Sequence, residues 1–139
     1  MLRVTADTNV YISALQFAGQ PLRILELALQ ESISLWASPV IMQEIVEVLR
    51  GKFGRSEADV EEIMLHLARV TQIVVPIERV YAVEDDLDDN AILECAIASH
   101  SDFIVSGDRH LLRLGEHRGI PIVRVVEFLG RIHRATAPE

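Results

Sequence analysis

Short apolar runs recur along this chain, separated by longer segments whose apolar residues fall at helical spacing. That pattern predicts strands alternating with helices. Arg3 to Ala6 reads as a strand entering Asp7-Thr8-Asn9; after the run Val10 to Leu15, a helix is expected near Pro21, continuing LRILELALQ. ISLWA at 33–37 is a second strand. Ser38 then caps a helix with Pro39 at its first position, ended by Gly51. Beyond the basic loop GKFGR, Ser56 with Asp59 opens a helix whose apolar face is Val60, Ile63, Met64, Leu67 and Val70. TQIVV at 71–75 is a third strand, stopped by Pro76, and Ile77 to Val83 carries no strong period.

The segment DLDDNAILECAIASHSDFIVSGDRHLL at 86–112 organises the rest. An aspartate-rich loop leads into a helix over Ala91 to Ala98 that is apolar on most sides, so the sheet covers one side and another element the other. Phe103 to Ser106 is a fourth strand, followed by Gly107-Asp108 and a short helix with Leu111, Leu112 and Leu114. A fifth strand at 120–125, a last helix VEFLGRIHR and a frayed tail at 135–139 complete the reading. Strands that are mostly apolar on both faces and alternate with helices indicate an α/β fold, a three-layer α/β/α domain around a parallel sheet of about five strands.

Composition narrows this picture. The 139 residues, 50% hydrophobic, suffice for one domain with a full core. The one cysteine, Cys95, rules out a disulfide framework and a cysteine metal cage. No charged leader precedes an apolar core segment, and no apolar run approaches the roughly 18 residues of a membrane span. The expectation is a soluble cytoplasmic protein. A net charge of -8 argues against purely electrostatic binding to a nucleic-acid backbone. It leaves catalysis on a polyanion open, because carboxylates that hold divalent ions count as negative here.

In a parallel sheet, ligands bind beyond the carboxyl ends of the strands. Asp7 and Asp108 each come after a strand, and Asp89 stands near a helix start on the same edge. Glu44 borders the apolar stripe of its helix beside Ile41 and Val48, whereas Glu47 points to solvent, on a wheel of about 100° per residue. A carboxylate at such a border needs a partner, and a cation serves. Four converging carboxylates suit a hard cation, Mg²⁺ or Mn²⁺. Asn9 and Ser106 supply polar support, and Asp88 and Asp86 compete with Asp89 for its role. Aspartates also cap helices and build turns, so each has a structural reading too. Glu84 and Asp85 read as solvated loop charge; Glu94 reads as an outer group of the cluster or an arginine's partner.

Lys52, the only lysine, and Arg55 on the glycine loop could contact phosphates, as could Arg109 and His110 beside the acidic cluster. His66, His100, His117 and His133 share no metal-ligand spacing. Trp36 reads as core, and Phe53 is ambiguous. A phosphatase-like hydrolase with an aspartyl nucleophile would carry a second aspartate where Asn9 stands and a distant lysine after a strand. The missing lysine also weakens a phosphorylation-receiver reading, and no glycine-rich phosphate loop occurs.

VTADTNVYISAL at 4–15, SPVIMQEIVEVL at 38–49 and the segment 86–112 together resemble the PIN-domain family, in particular its small prokaryotic VapC-like branch of toxin components of toxin-antitoxin pairs. The resemblance implies a three-layer fold and Mg²⁺- or Mn²⁺-dependent hydrolysis of RNA, leaving a 5′-phosphate and a 3′-hydroxyl. It places the family's acidic positions on Asp7, Glu44, Asp89 and Asp108, with Asn9 and Ser106 at the accompanying polar positions. It implies single-stranded or structured RNA, a small antitoxin and a second copy of the chain as partners. The chain is too short for the helical clamps of larger relatives that cut DNA flaps. A regulatory or RNA-processing nuclease would look the same, and an acidic metal-binding interaction domain without turnover is the non-enzymatic alternative.

Overall fold

The computed structural model describes residues 1–83 and 87–136. The readings of Glu84, Asp85 and Asp86, and of tail residues 137–139, fall outside the described residues, whereas Ala135 and Thr136, read as tail, belong to the last helix. In chain order the elements are β1 (Leu2–Ala6), α1 (Thr8–Phe17), α2 (Gly19–Leu29), β2 (Ile33–Ala37), α3 (Pro39–Gly51), α4 (Glu57–Val70) and β3 (Thr71–Ile73). They continue as α5 (Leu87–Ala98), β4 (Phe103–Val105), α6 (Arg109–Leu114), β5 (Glu116–His117), β6 (Ile120–Val123) and α7 (Val125–Thr136).

The sheet has six strands in the order β3-β2-β1-β4-β6-β5. All neighbours pair parallel except β5 with β6, which is antiparallel. The strand beyond the expected five is the two-residue β5, too short for an alternation to register in sequence. From β1 the chain steps outward to β2 and β3, then returns to place β4 on the other side of β1. The carboxyl ends of β1 and β4 therefore lie side by side at the point where strand order reverses, the place where sheets of this kind open a crevice. Their register, Val4↔Phe103, Thr5↔Ile104 and Ala6↔Val105, brings Asp7 and Ser106 out of the two strands at the same level.

Helices cover both faces of this α/β/α domain. α5 crosses β1, β2 and β4, and α2 packs on β2 and against α7. Phe103 of β4 meets Phe128 of α7 edge-on at 5.4 Å, with Phe128 fully buried. Ile24, Leu35, Ile41, Ile45, Leu93 and Ile104 are among the largest fully enclosed side chains. α5 buries Ala91, Ile92, Leu93, Cys95 and Ala96, in keeping with an apolar surface on most of its sides.

Local differences from the sequence reading have physical reasons. The segment after Asp7 is a ten-residue helix, α1, begun by the Asp7 side chain. A second helix starts after a turn in which Ala18 and Gly19 both have positive φ, 56° and 67°. β3 stops at Ile73, although Val74 still donates to the Ala37 carbonyl. β6 ends at Val123 because α7 already begins at Val125. Ser38 and Ser56 cap their helices as expected, accepting from Ile41 N and Asp59 N.

The cap of α3 fixes the start of the helix that carries Glu44. Ser38→Ala is expected to cost roughly 1 kcal/mol, a fall in Tm of about 2–4 °C, by thermal unfolding followed by circular dichroism. An unchanged Tm would show that the cap bond does not contribute.

Candidate metal centre

Asp7 leaves the end of β1 as the cap of α1, its Oδ1 accepting from Val10 N at 3.0 Å. Its backbone N–H bonds to the Val105 carbonyl of β4 at 3.0 Å. Its other oxygen, Oδ2, accepts a short hydrogen bond from Ser106 Oγ. The Ser106 hydroxyl also accepts from Asp108 N at 2.9 Å. One side chain thus links the aspartate after β1 to the aspartate after β4. Asp108 in turn caps α6, accepting through Oδ1 from His110 N at 2.8 Å and Leu111 N at 3.3 Å.

Asp89 lies in the first turn of α5 and is only 6% exposed. Asp7, Glu44, Asp89 and Asp108, drawn from two helices and two strand ends, line a single cleft of about 30 Å³ together with Thr8, Asn9, Asp88 and Ile92. Glu44 is half-buried and Glu47 exposed, as the helical wheel requires. Asp88 is exposed at the cleft's edge, whereas Asp89 is enclosed. The structure also gathers a nitrogen donor. Ligand atoms of Asp89, Asp108 and His110 lie within 4.8 Å of one another, and His110 Nδ1 is 3.9 Å from Asp89 Oδ2 and 4.0 Å from Asp108 Oδ1. In sequence His110 reads as a phosphate contact; its position two residues after a helix-capping aspartate is the signal for this additional role.

Burial drives the Asp7 carboxyl above its ordinary value, more strongly than the Ser106 and Val10 hydrogen bonds pull it down, and the Asp108 charge adds to the rise. Burial also raises Asp108, but a hydrogen bond with Asp89, the backbone donors of Leu111 and His110 and the nearby imidazole outweigh it and leave Asp108 below its usual value. The donor set fits a divalent ion. Oxygen ligands dominate, the space accommodates an ion, and Thr8 Oγ1, buried against the cleft, has no hydrogen-bond partner among the described residues.

The basic residues expected near substrate are not drawn into the cleft. Lys52 ends α3 with its Nζ 5.6 Å from the Phe53 ring, and Arg55 donates to Gln16 Oε1 at 3.1 and 2.6 Å. Arg109 is exposed at the start of α6, beside the acidic group in sequence but not among the residues lining it. Glu94 lies outside the cleft lining and, rather than serving the cluster, accepts from Val80 N at 3.0 Å. With Asn90, which bonds both the N–H and the carbonyl of Val83, it ties the segment before α5 to that helix. Trp36, expected in the core, is half-buried under the Arg3 guanidinium, and Phe53 packs on Phe17.

The model of the family described as "PIN domain" matches residues 3–110. An uncharacterized protein of Methanocaldococcus jannaschii is 32% identical over 118 residues, 81% of this chain and 75% of that protein. In shape the chain is similar to VapBC2 from Rickettsia felis, solved bound to a DNA fragment from their promoter. That match has a TM-score of 0.65 and 12% identity, and covers 87% of this chain and 97% of that one. PAE2754 from Pyrobaculum aerophilum gives a TM-score of 0.58 at 15% identity, covering 96% and 90%. At these identities the two structures bear on the fold.

Because the folded value of Asp7 is raised, its contribution to stability is present below the ordinary aspartate value of 3.8 and is lost as pH rises through the folded value. Asp7→Asn keeps an oxygen for the cap and carries no charge. In EDTA at pH 7 the variant is expected to unfold above wild type, by roughly 0.5–2 kcal/mol, with the gap closing as pH falls towards acid. A variant that melts at or below wild type at pH 7 would contradict the desolvation account.

Proposed function

This chain belongs to the PIN-domain family, and from that premise we propose that it is a divalent-metal-dependent endoribonuclease, the toxin of a toxin-antitoxin pair. The observation that carries the reading is the meeting of Asp7, Glu44, Asp89 and Asp108 on one cleft at the sheet's switch point. The fold's similarity to VapBC2 supports the toxin assignment. The same reading brings a small antitoxin and a second copy of the chain as partners.

Asp7, Asp89, Asp108 and Glu44 would hold Mg²⁺ or Mn²⁺, with His110 as a nitrogen donor. A bound ion supplies charge neutralisation at the scissile phosphate and acidity to the attacking water. The chain's own groups set the geometry. Val10 N and Ser106 Oγ hold both oxygens of Asp7, so its carboxylate cannot rotate away. Ser106 also receives Asp108 N, which keeps the two strand-end aspartates in fixed relation. Water adds to phosphorus, the bond from phosphorus to the 3′-oxygen breaks, and that oxygen leaves as a hydroxyl. The products carry a 5′-phosphate and a 3′-hydroxyl.

The residues at the strand ends favour this over a phosphatase-like course. Asn9 occupies the position a second catalytic aspartate would need, and Lys52 lies away at the end of α3.

Purified protein with end-labelled single-stranded RNA is expected to cut with Mg²⁺ or Mn²⁺ and not in EDTA. Asp89→Asn and Asp108→Asn, each verified as folded, are expected to lose more than the ~10–100-fold that accompanies loss of a group supporting a metal ligand. Cutting that persists in EDTA, or equally in both variants, would overturn the reading.

A further inference from the structure

A second cavity, of about 330 Å³, opens beside the acidic cleft, between α1, the start of α2 and the start of α7. Its size falls in the range of ~300–1,000 Å³ that holds small organic ligands. Val10, Pro21, Val125 and Val126 give it apolar walls, and Arg124 lines it. Two residues join it to the metal centre. Asn9 lines both spaces, and Ser106, which lines this one, bonds the Asp7 carboxylate.

Resting on the nuclease reading, we propose that this cavity receives the nucleotide next to the scissile phosphate, with the base against the valine and proline walls and Arg124 on its phosphate. The chemistry of the walls matches the two halves of a nucleotide. A base has apolar faces, and a phosphate wants a planar guanidinium. Among the described residues Arg124 makes no side-chain hydrogen bond or ion pair, whereas Arg50, Arg55, Arg118 and Arg131 are each committed to a neighbouring carboxylate or amide. In a chain of net charge -8, a guanidinium left available in a cavity adjoining four carboxylates offers a local seat for a polyanion. Gln20 and Ser13, also on the wall, supply hydrogen-bonding groups within reach of a base or ribose edge. Gln20 follows the positive-φ turn at Ala18 and Gly19 that separates α1 from α2. This adds Arg124 to Lys52, Arg55 and Arg109 as a candidate phosphate contact.

The test uses Arg124→Gln and Val126→Glu. Val126 is 62% exposed and sits in the first turn of α7, where an acidic residue suits the helix, so this variant tests the cavity without burying a charge. Steady-state cleavage of labelled single-stranded RNA with Mn²⁺ is measured from low to moderate salt, beside Mn²⁺ binding by calorimetry. KM is expected to rise about tenfold in both variants with kcat within about twofold and Mn²⁺ affinity unchanged. Arg124→Gln is also expected to lower the slope of log affinity against log salt by about one. An active wild type whose two variants keep its KM and salt slope would overturn the nucleotide site and leave the cavity to a protein partner or to no ligand, with the nuclease reading intact. Loss of Mn²⁺ binding in Arg124→Gln would overturn it too, by showing that the residue acts through the metal centre. A wild type without turnover would defeat the nuclease reading itself.

Discussion

The parallel pairing of β1 with β4 is the constraint on which the site depends. It brings two segments about a hundred residues apart into register, so that Asp7 and Ser106 leave neighbouring strands at the same level. The Ser106 hydroxyl then closes the gap, donating to Asp7 and accepting from Asp108 N. Without this pairing the chain would have acidic loops; with it, the carboxylates face one space. The topology adds the crevice, since strand order reverses between β1 and β4, where sheets of this kind open a cleft beyond the strand ends.

The centre is held at a cost. Asp7 is 4% exposed, and burial opposes its ionisation. Two hydrogen bonds offset part of that penalty and fix both oxygens, so the residue is rigid and electrostatically unfavourable when the site is empty. A divalent cation bound in this cleft would offset the burial penalty and the like-charge repulsion with direct attraction. Helix caps do double duty here. Asp7 begins α1 and Asp108 begins α6, so the helices that position the carboxylates are nucleated by them.

Much of the fold was legible in the sequence because its signals are local. ISLWA, the Ser38-Pro39 start and the Ser56 cap mark elements by composition alone, and the structure places them there. The alternation of apolar runs and helical periods was enough for the layered architecture. α1 was not legible because its starting signal, Asp7, doubles as a site residue, and β5 was not because two residues carry no period. Of the site, the four carboxylates could be named from strand ends, a helix border and family resemblance, and they do meet on one cleft. His110 and Arg124 reach their places through tertiary packing. The glycine-loop pair Lys52 and Arg55 reads as suited to phosphate in sequence; the fold sets Lys52 at the C-terminus of α3 and binds Arg55 to Gln16.

The central claim, that these carboxylates form one divalent-cation site, is tested most directly by the unfolding temperature as a function of Mn²⁺ concentration at neutral pH. Wild type is expected to rise steadily, gaining about 2.7 kcal/mol at a hundred times Kd, while an Asp89→Asn/Asp108→Asn double variant stays flat; asparagine can still cap α6, so this protein should fold. No rise in wild type, or an equal rise in the double variant, would contradict the account.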